Sequence, residues 1–462
     1  MKVLLLRPNS IIIATPVPLG LAYVAESLRA RRGDDVTILD ARNLRLKPRE
    51  VAERIATIKP DVVGISAINF EAPETHELAR IAKELKPESW VIIGGPYASA
   101  NREAILADSC VDVLALGESE NTAVEILDAL EKKADLAGVP GIIFRRNGKP
   151  HFTGPRPPIQ DVDSLHPAWD LLDPESYFKR RGRNSENIIK YSHRTLTVFT
   201  SRGCPFNCIF CHNVFGRKFR ARNPENVLDE ITHLRDAYGM QELEIVDDSF
   251  NLDLGRAKAI CRGIIERKLN LKITLPNGIR GDRVDEELLD LFKDAGFYRI
   301  AYAVESASPR IQKIIRKQID LDKVRWTISE TARRKMMATG YFIMGFPTET
   351  RLDMEMTAQF AINSDLHVAS FFYLNPFPGT EVARMTDLDL TDYTFRDYST
   401  LTVNLSAESD DELRRICKRT YRRFYLNPRR IARVIQVVPK NPRTFINAFL
   451  VFRLMLQDSV NQ

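Results

Sequence analysis

Residues 202–213, Arg202-Gly-Cys-Pro-Phe-Asn-Cys-Ile-Phe-Cys-His-Asn213, follow an apolar, strand-like run and set Cys204, Cys208 and Cys211 on one short loop. The spacing is C-x3-C-x2-C, with the aromatic Phe210 directly before the last cysteine. A cube of four irons takes four ligands, so three thiolates leave one iron open to a ligand that is not protein. Three blander readings compete. Cys208-Ile-Phe-Cys211-His212 is also a C-x-x-C-H string of the covalent haem type. That attachment belongs to exported proteins, however, and Met1-Lys2 runs straight into Val3-Leu4-Leu5-Leu6 with no cationic region, long apolar core and cleavage site. A structural zinc wants a fourth Cys or His at finger-like spacing, and His212 stands next to a ligand. Plain buried cysteine is the third. The ligand arithmetic and the context favour the open cluster.

Downstream of the cysteine loop, helical periodicity alternates with short β-rich runs. Strands are expected over Thr195–Thr200, Glu242–Asp247, Lys272–Pro276, Arg299–Val304, Ala338–Met344 and His367–Leu374, with helices such as Asn223–Tyr238 and Asp285–Ala295 between them. Six parallel strands of this kind make a partial barrel over 195–392, with the cysteine loop after its first strand. Chemistry in such barrels gathers at the strand C-terminal ends. There the chain places Asp247-Asp248-Ser-Phe250, Glu305-Ser306, Gly345-Phe-Pro347 and Pro376-Phe-Pro-Gly-Thr380. Carboxylates at strand ends also cap helices, the bland alternative for Asp247 above all.

Upstream, residues 1–150 repeat the β/α alternation, with strands expected over Val3–Arg7, Val36–Asp40, Asp61–Ser66, Trp90–Gly94 and Val113–Leu116, and helices such as Leu19–Arg31 and Glu71–Leu85. This argues an α/β, doubly wound, Rossmann-like parallel sheet, whose ligands sit at the carboxyl ends of the strands. Three of those ends carry Gly64-Ile-Ser66, Gly94-Gly95-Pro-Tyr97 and Gly117-Glu-Ser-Glu120. Glycine there lets backbone approach a flat, bulky ligand, and Ser66 can donate a hydrogen bond; each alone reads equally as turn chemistry. No G-x-G-x-x-G follows the first strand, so a dinucleotide site loses support. Residues 151–194, rich in proline at Pro155, Pro157 and Pro158, read as a linker.

The cysteine motif with Phe210 resembles the signature of the radical S-adenosylmethionine (SAM) superfamily. The resemblance implies that SAM chelates the open iron of a [4Fe–4S] cluster held by Cys204, Cys208 and Cys211, and that reductive cleavage yields a 5′-deoxyadenosyl radical that abstracts hydrogen. It implies further that the Asp247-Asp248 loop meets the methionine amino group. Glu305 and Ser306 would meet the ribose and methionine, and Ile343, Gly345 and Pro347 the adenine side. Residues 1–150, with Pro16-Val-Pro-Leu-Gly20 opening the first helix, resemble the cobalamin-binding domain that precedes one branch of the superfamily, the class B methyltransferases. Ser66, Gly94, Gly95 and Gly117 would then flank the corrin or its nucleotide tail. Many such domains carry a D-x-H-x-x-G loop whose His ligates cobalt; here the place reads Asn9-Ser10-Ile-Ile-Ile-Ala-Thr15, so no lower ligand comes from it.

The expected activity is therefore cobalamin-dependent radical methyl transfer to an unactivated carbon of a small-molecule or lipid-like substrate, fed by an electron donor such as flavodoxin or ferredoxin. The alternatives are a radical SAM cyclase, coupling or rearrangement enzyme acting on a tetrapyrrole, hopanoid or other lipid-like molecule, and a non-catalytic cobalamin- or redox-binding module. RNA methylthiolation wants a second cluster in the N-terminal domain, where Cys110 is the single cysteine. Six cysteines in 462 residues suit a reducing compartment, and no run of about twenty apolar residues exists, so a cytoplasmic location is expected. Charge is uneven. Residues 411–462 hold twelve Lys/Arg against three acidic residues, whereas the whole chain is only +6. Residues 393–462 read as helical and basic, ending in the apolar run 445–456; such a segment either lies on a membrane surface or packs as a helix closing the open barrel. No nucleic-acid module is recognisable.

Overall fold

The computed structural model describes residues 1–10, 15–179, 189–212, 214–388 and 400–440. The chain divides into two compact units, one built, among the described residues, from those up to 179 with 214–216 and 387–388, and the other from 189–212, 217–386 and 400–440.

The first unit holds a seven-stranded sheet of β1 (Lys2–Arg7), β2 (Asp35–Asp40), β3 (Val62–Ser66), β4 (Trp90–Gly94), β5 (Val113–Ala115), β6 (Ile142–Arg146) and β7 (Lys149–Phe152), in the order β2-β1-β3-β4-β5-β6-β7. The first five strands are parallel. They are apolar on both faces, as a sheet covered by helices on both sides requires. One layer of core gathers Leu4, Leu6, Val63, Ile65, Val91 and Ile93, and the other Val3, Leu5, Val36, Val62 and Ile92. Strand order reverses between β1 and β3, the switch point where ligands enter folds of this kind.

The far edge departs from the all-parallel expectation. β6 and β7 are antiparallel, joined through Asn147 (φ 53°) and Gly148 (φ 75°) between the paired Arg146 and Lys149. Asn-Gly with both residues left-handed is the turn that a tight hairpin favours. The expected linker is likewise folded from 151 to 179: Thr153 N–H donates to Ile142 O, Ile159 N–H to the Glu118 carboxylate at 2.8 Å, and Ala168 N–H to Ala22 O at 3.0 Å. Tyr177, fully buried, donates to Asp40, which also pairs with Arg7 at the ends of β1 and β2. Proline richness here marks a strap that binds through its remaining backbone groups, rather than a free tether.

The second unit is an open six-stranded parallel sheet, with β8 (Thr195–Val198) and, after a two-stranded ribbon of β9 (Ser201–Arg202) and β10 (Arg220–Ala221), β11 (Glu242–Ile245), β12 (Lys272–Ile279), β13 (Phe297–Glu305), β14 (Met337–Met344) and β15 (Val368–Tyr373). The order β15-β14-β13-β12-β11-β8 leaves β15 and β8 as edges, the incomplete barrel expected from six units. Side chains of helix Asp410–Tyr425 cover the β15 edge: Tyr421 and Tyr425 bond the backbone of Phe371 and Ala369, and Ile416, Cys417 and Phe424 are buried. A second helix, Pro428–Val437, follows. The apolar run 445–456 lies outside the described residues. Among the described residues no helix is long and apolar enough to cross a membrane.

Candidate active site

The cysteine loop is fixed by what lies between its cysteines. Ile209 is buried among Ile311, Ile315, Phe346, Leu374 and Val382, and Phe210 leans on Phe346 with ring centroids 5.4 Å apart. Backbone adds to this grip: Ile209 N–H donates to Ile315 O at 3.2 Å, and Ile209 O accepts from Glu381 and Val382 N–H. Pairing of β9 with β10 ties the two flanks of the loop together. Cys204 and Cys208 are half-buried and Cys211 exposed. All three thiols are held above their usual range, first by desolvation; Cys211 is pushed up to about 12, with the Cys208 and Cys204 thiols as the next causes and the Lys317 ammonium opposing them.

These thiols are near enough to repel one another as anions, a repulsion that bound iron relieves. Among the described residues no three Cys, His, Asp or Glu side chains converge as one metal ion would need. Three thiols on one short loop can each take a different corner of a four-iron cube. The donor set thus fits three irons of a four-iron cluster.

Around this loop the strand ends divide the labour. Asp247, at the end of β11, is buried and spends its carboxylate on Thr200 N–H (2.6 Å), the Thr200 hydroxyl and Ser201 Oγ (2.6 Å). It welds the β11 end to the residues that lead into the cysteine loop. Asp248 is open to solvent on one side and accepts from Gly203 N–H; desolvation first, then Asp247, raises its carboxyl above the usual range. Glu305 closes β13 at a register shift, with a left-handed φ of 64° that is costly for a residue with a side chain. Its carboxylate pairs with Lys317 Nζ at 2.8 Å, both side chains 10% exposed. Ser306 is fully buried; its hydroxyl meets Thr357 Oγ1 at 3.2 Å and accepts from Ser308 N–H. Ile343 sits partly buried against the Ile209 cluster, and Gly345 turns at φ 97° where a Cβ would meet Leu413 at 3.3 Å. The loop carrying Pro347 is closed by Glu349, which accepts from Gly345 N–H at 2.7 Å and Phe346 N–H at 3.1 Å. Burial pushes the Glu349 carboxyl up to about 8.

Sequence reasoning missed Lys317, Glu349 and the Thr200–Ser201 anchor. No local spacing ties Lys317 to Glu305 twelve residues earlier, because the helix Pro309–Ile314 and its exit turn bring it back. Glu349 did carry a signal, as an acid soon after a Gly-x-Pro turn.

In the first unit the residues at the strand ends form a ledge of backbone. A Cβ on Gly95 (φ 83°) would stand 2.8 Å from Ala67 O and 2.9 Å from Ser66 Oγ, so no other residue fits without movement. Gly94 is less demanding, its nearest atoms 3.8 Å away, and Gly117 (φ 71°) faces open space. The ledge is braced from behind: Tyr97 N–H donates to Ala67 O at 3.0 Å, and buried Tyr97 OH lies 3.0 Å from His76 Nε2, whose Nδ1 is 2.6 Å from Asp108. A glycine ledge at the carboxyl ends beside the switch point suits a large flat ligand.

Comparison with known proteins agrees with both halves. Residues 198–361 match the model of the Radical SAM superfamily and residues 14–127 that of the B12 binding domain. The chain is 34% identical to an uncharacterized methyltransferase of Pyrococcus horikoshii, covering 93% of each protein. It is 31% identical to the cytidylyl-2-hydroxyethylphosphonate methyltransferase of Streptomyces wedmorensis, over 83% of this chain and 81% of the other. The fold is similar to that of the radical SAM methyltransferase TsrM of Kitasatospora setae, solved with cobalamin and a [4Fe–4S] cluster, with TM-score 0.68 and 19% identity over 82% of this chain and 74% of that one. The chain belongs to the radical SAM superfamily, in the branch of cobalamin-dependent methyltransferases that carry an N-terminal B12-binding domain. A [4Fe–4S] cluster, SAM and cobalamin are accordingly its cofactors.

Proposed function

We propose that this enzyme transfers a methyl group to an unactivated carbon of a small or lipid-like molecule. The observation that carries the reading is the coexistence in one chain of a three-thiol loop and a glycine ledge where Gly95 leaves no room for a side chain. A carbon without a lone pair cannot attack SAM directly, so a radical route with a second methyl carrier is the chemistry that both cofactors together supply. Cys204, Cys208 and Cys211 hold the cluster. Asp248 is the carboxylate available for the methionine ammonium of SAM, since Asp247 is spent on Thr200 and Ser201. Lys317, paired with Glu305, offers a cation beside the thiols for the SAM carboxylate, and the loop from Ile343 to Pro347 offers backbone on the adenine side. Ser66, Gly94, Gly95 and Gly117 would flank the corrin. An external one-electron donor of the flavodoxin or ferredoxin kind completes the set.

A second reading has one observation in its favour: the anaerobic magnesium-protoporphyrin IX monomethyl ester cyclase of Rubrivivax gelatinosus is 27% identical over 92% of this chain and 78% of its own. Anaerobic purification with iron, sulfide and hydroxocobalamin separates the two at the first step. Cobalt bound one per chain beside a four-iron cluster, with SAM consumed both to S-adenosylhomocysteine and to 5′-deoxyadenosine, supports methyl transfer. Formation of 5′-deoxyadenosine alone, with no S-adenosylhomocysteine, would move the assignment to cyclisation.

A further inference from the structure

Past its acidic first turn, helix Asp410–Tyr425 presents cations along its outer face. Arg414, Arg415, Lys418, Arg419, Arg422 and Arg423 are all exposed, over about three turns. Carboxylates answer only the first part of this face: Asp411 lies 3.6 Å from Arg414, Glu412 3.1 Å from Arg415 and Glu355 3.1 Å from Arg419. Arg422, Arg423 and, in the next helix, Arg429 meet no carboxylate among the described residues. That end of the helix opens a shallow groove in which Ile362 and Leu426 lie beside Lys418, Arg422 and Arg423. Aliphatic exposure continues from there. Leu426 is 52% exposed, Ile431 45% and Ile435 57%, the two isoleucines one helical turn apart on Pro428–Val437.

The two helices are tied together at this face. Arg430 is fully buried between the two helices, donating to Phe424 O at 3.1 Å and Ile362 O at 2.8 Å and also to Leu366 O, with its guanidinium 3.6 Å from the centre of the Phe424 ring. It seals the C-terminal carbonyls of helix Arg351–Asn363 with a cation, the polarity that end attracts.

We propose that this face docks the enzyme on an anionic lipid bilayer, with Arg422, Arg423 and Arg429 on the headgroups and Leu426, Ile431 and Ile435 in the interfacial layer. Cations flanking exposed aliphatics on an otherwise packed helix pair are what interfacial binding needs. A nucleic acid would use the arginines and leave the aliphatics idle. An acidic redox protein belongs near the cluster, whereas Tyr421 and Tyr425 tie this end of the helix to Phe371 and Ala369, toward the start of β15 and away from the strand end where the cysteine loop sits. Docking holds whichever carbon is methylated.

The test is co-sedimentation of the full chain with phosphatidylglycerol-rich vesicles and with pure phosphatidylcholine vesicles, across a salt series. Wild type is expected to bind the anionic vesicles and to be released as salt rises. The double substitution Arg422→Glu/Arg423→Glu should weaken partitioning roughly tenfold or more, since each surface cation near an anionic membrane adds about 1 kcal/mol. Ile431→Ser/Ile435→Ser should weaken it at unchanged charge. Thermal unfolding of both variants should match wild type, because the altered side chains are exposed. Wild type that ignores anionic vesicles, or an arginine variant that binds as wild type does, would overturn the proposal. An isoleucine variant with undiminished binding, or RNA that strips the enzyme from vesicles at equal phosphate, would assign the face to a polyanion instead.

Discussion

The carboxyl ends of the two sheets solve the same problem with different materials. In the first unit the ledge proposed for cobalamin is shaped by backbone: Gly95 at φ 83° against Ala67 O, with Tyr97 and His76 as buttresses. In the barrel the ends of the strands carry sulfur and charge: three thiols, Asp248 and the Glu305–Lys317 pair. A flat ligand that is mostly ring needs room and shape, which absent side chains provide; a cluster and a zwitterion need ligands and counter-charges. The first site should therefore fail when something is added and the second when something is removed.

The largest effect expected is Cys208→Ala, which leaves too few thiolates for the cluster: iron content and 5′-deoxyadenosine formation should both vanish, while cobalamin titrates as in wild type. Loss of cobalamin binding in this variant would break the contrast between the sites. Gly95→Val is the converse. A left-handed β-branched residue with its Cβ at 2.8 Å from Ala67 O must push the ledge aside. Strain of about 1–3 kcal/mol predicts cobalamin binding ten- to a hundredfold weaker, with iron content unchanged.

Smaller effects separate neighbours within the barrel. Asp247→Asn gives up charged hydrogen bonds to Thr200 and Ser201 and should cost about 2–4 kcal/mol of stability by denaturant unfolding. Asp248→Asn should leave stability alone and raise the SAM concentration needed for half-maximal cleavage; the reverse pattern would exchange their roles. Glu349 sharpens the comparison through pH. Its carboxyl is raised to about 8 in the folded chain, above the ordinary range it takes when unfolded, so between those values the folded state holds the extra proton. Stability from this group is complete in acid and is lost as pH rises toward 8, by an amount on the order of a few kcal/mol. Glu349→Gln keeps an oxygen for Gly345 and Phe346 N–H and should flatten that slope, measured as unfolding free energy between mild acid and pH 8.

The cysteine loop and the strand periodicity were legible because each is local: Cys204 to Cys211 spans eight residues, and the parallel strands of both sheets fall near their expected places. What escaped depends on chain return. The strap from 151 to 179 reads as loose because proline hides how Ile159, Ala168 and Tyr177 bind back. The Asn147-Gly148 turn was readable in itself, yet the antiparallel edge follows only once β6 is known to lie beside β5. In the site, Asp247 and Asp248 are chemically alike in sequence, and the direction each points decides that one braces the fold while the other faces outward. Lys317 became visible only through its partner.

One consequence of Ile209 concerns the life of the protein rather than its turnover. The Ile209 side chain packs on Ile311, Ile315 and Phe346, and its backbone bonds Ile315, Glu381 and Val382, so the loop is gripped at its middle by carbon and amide as well as at its sulfurs. Weakening that grip, as Ile209→Ala would, should shorten the life of the cluster in air, so the durability of the enzyme depends on an apolar side chain beside its cysteines.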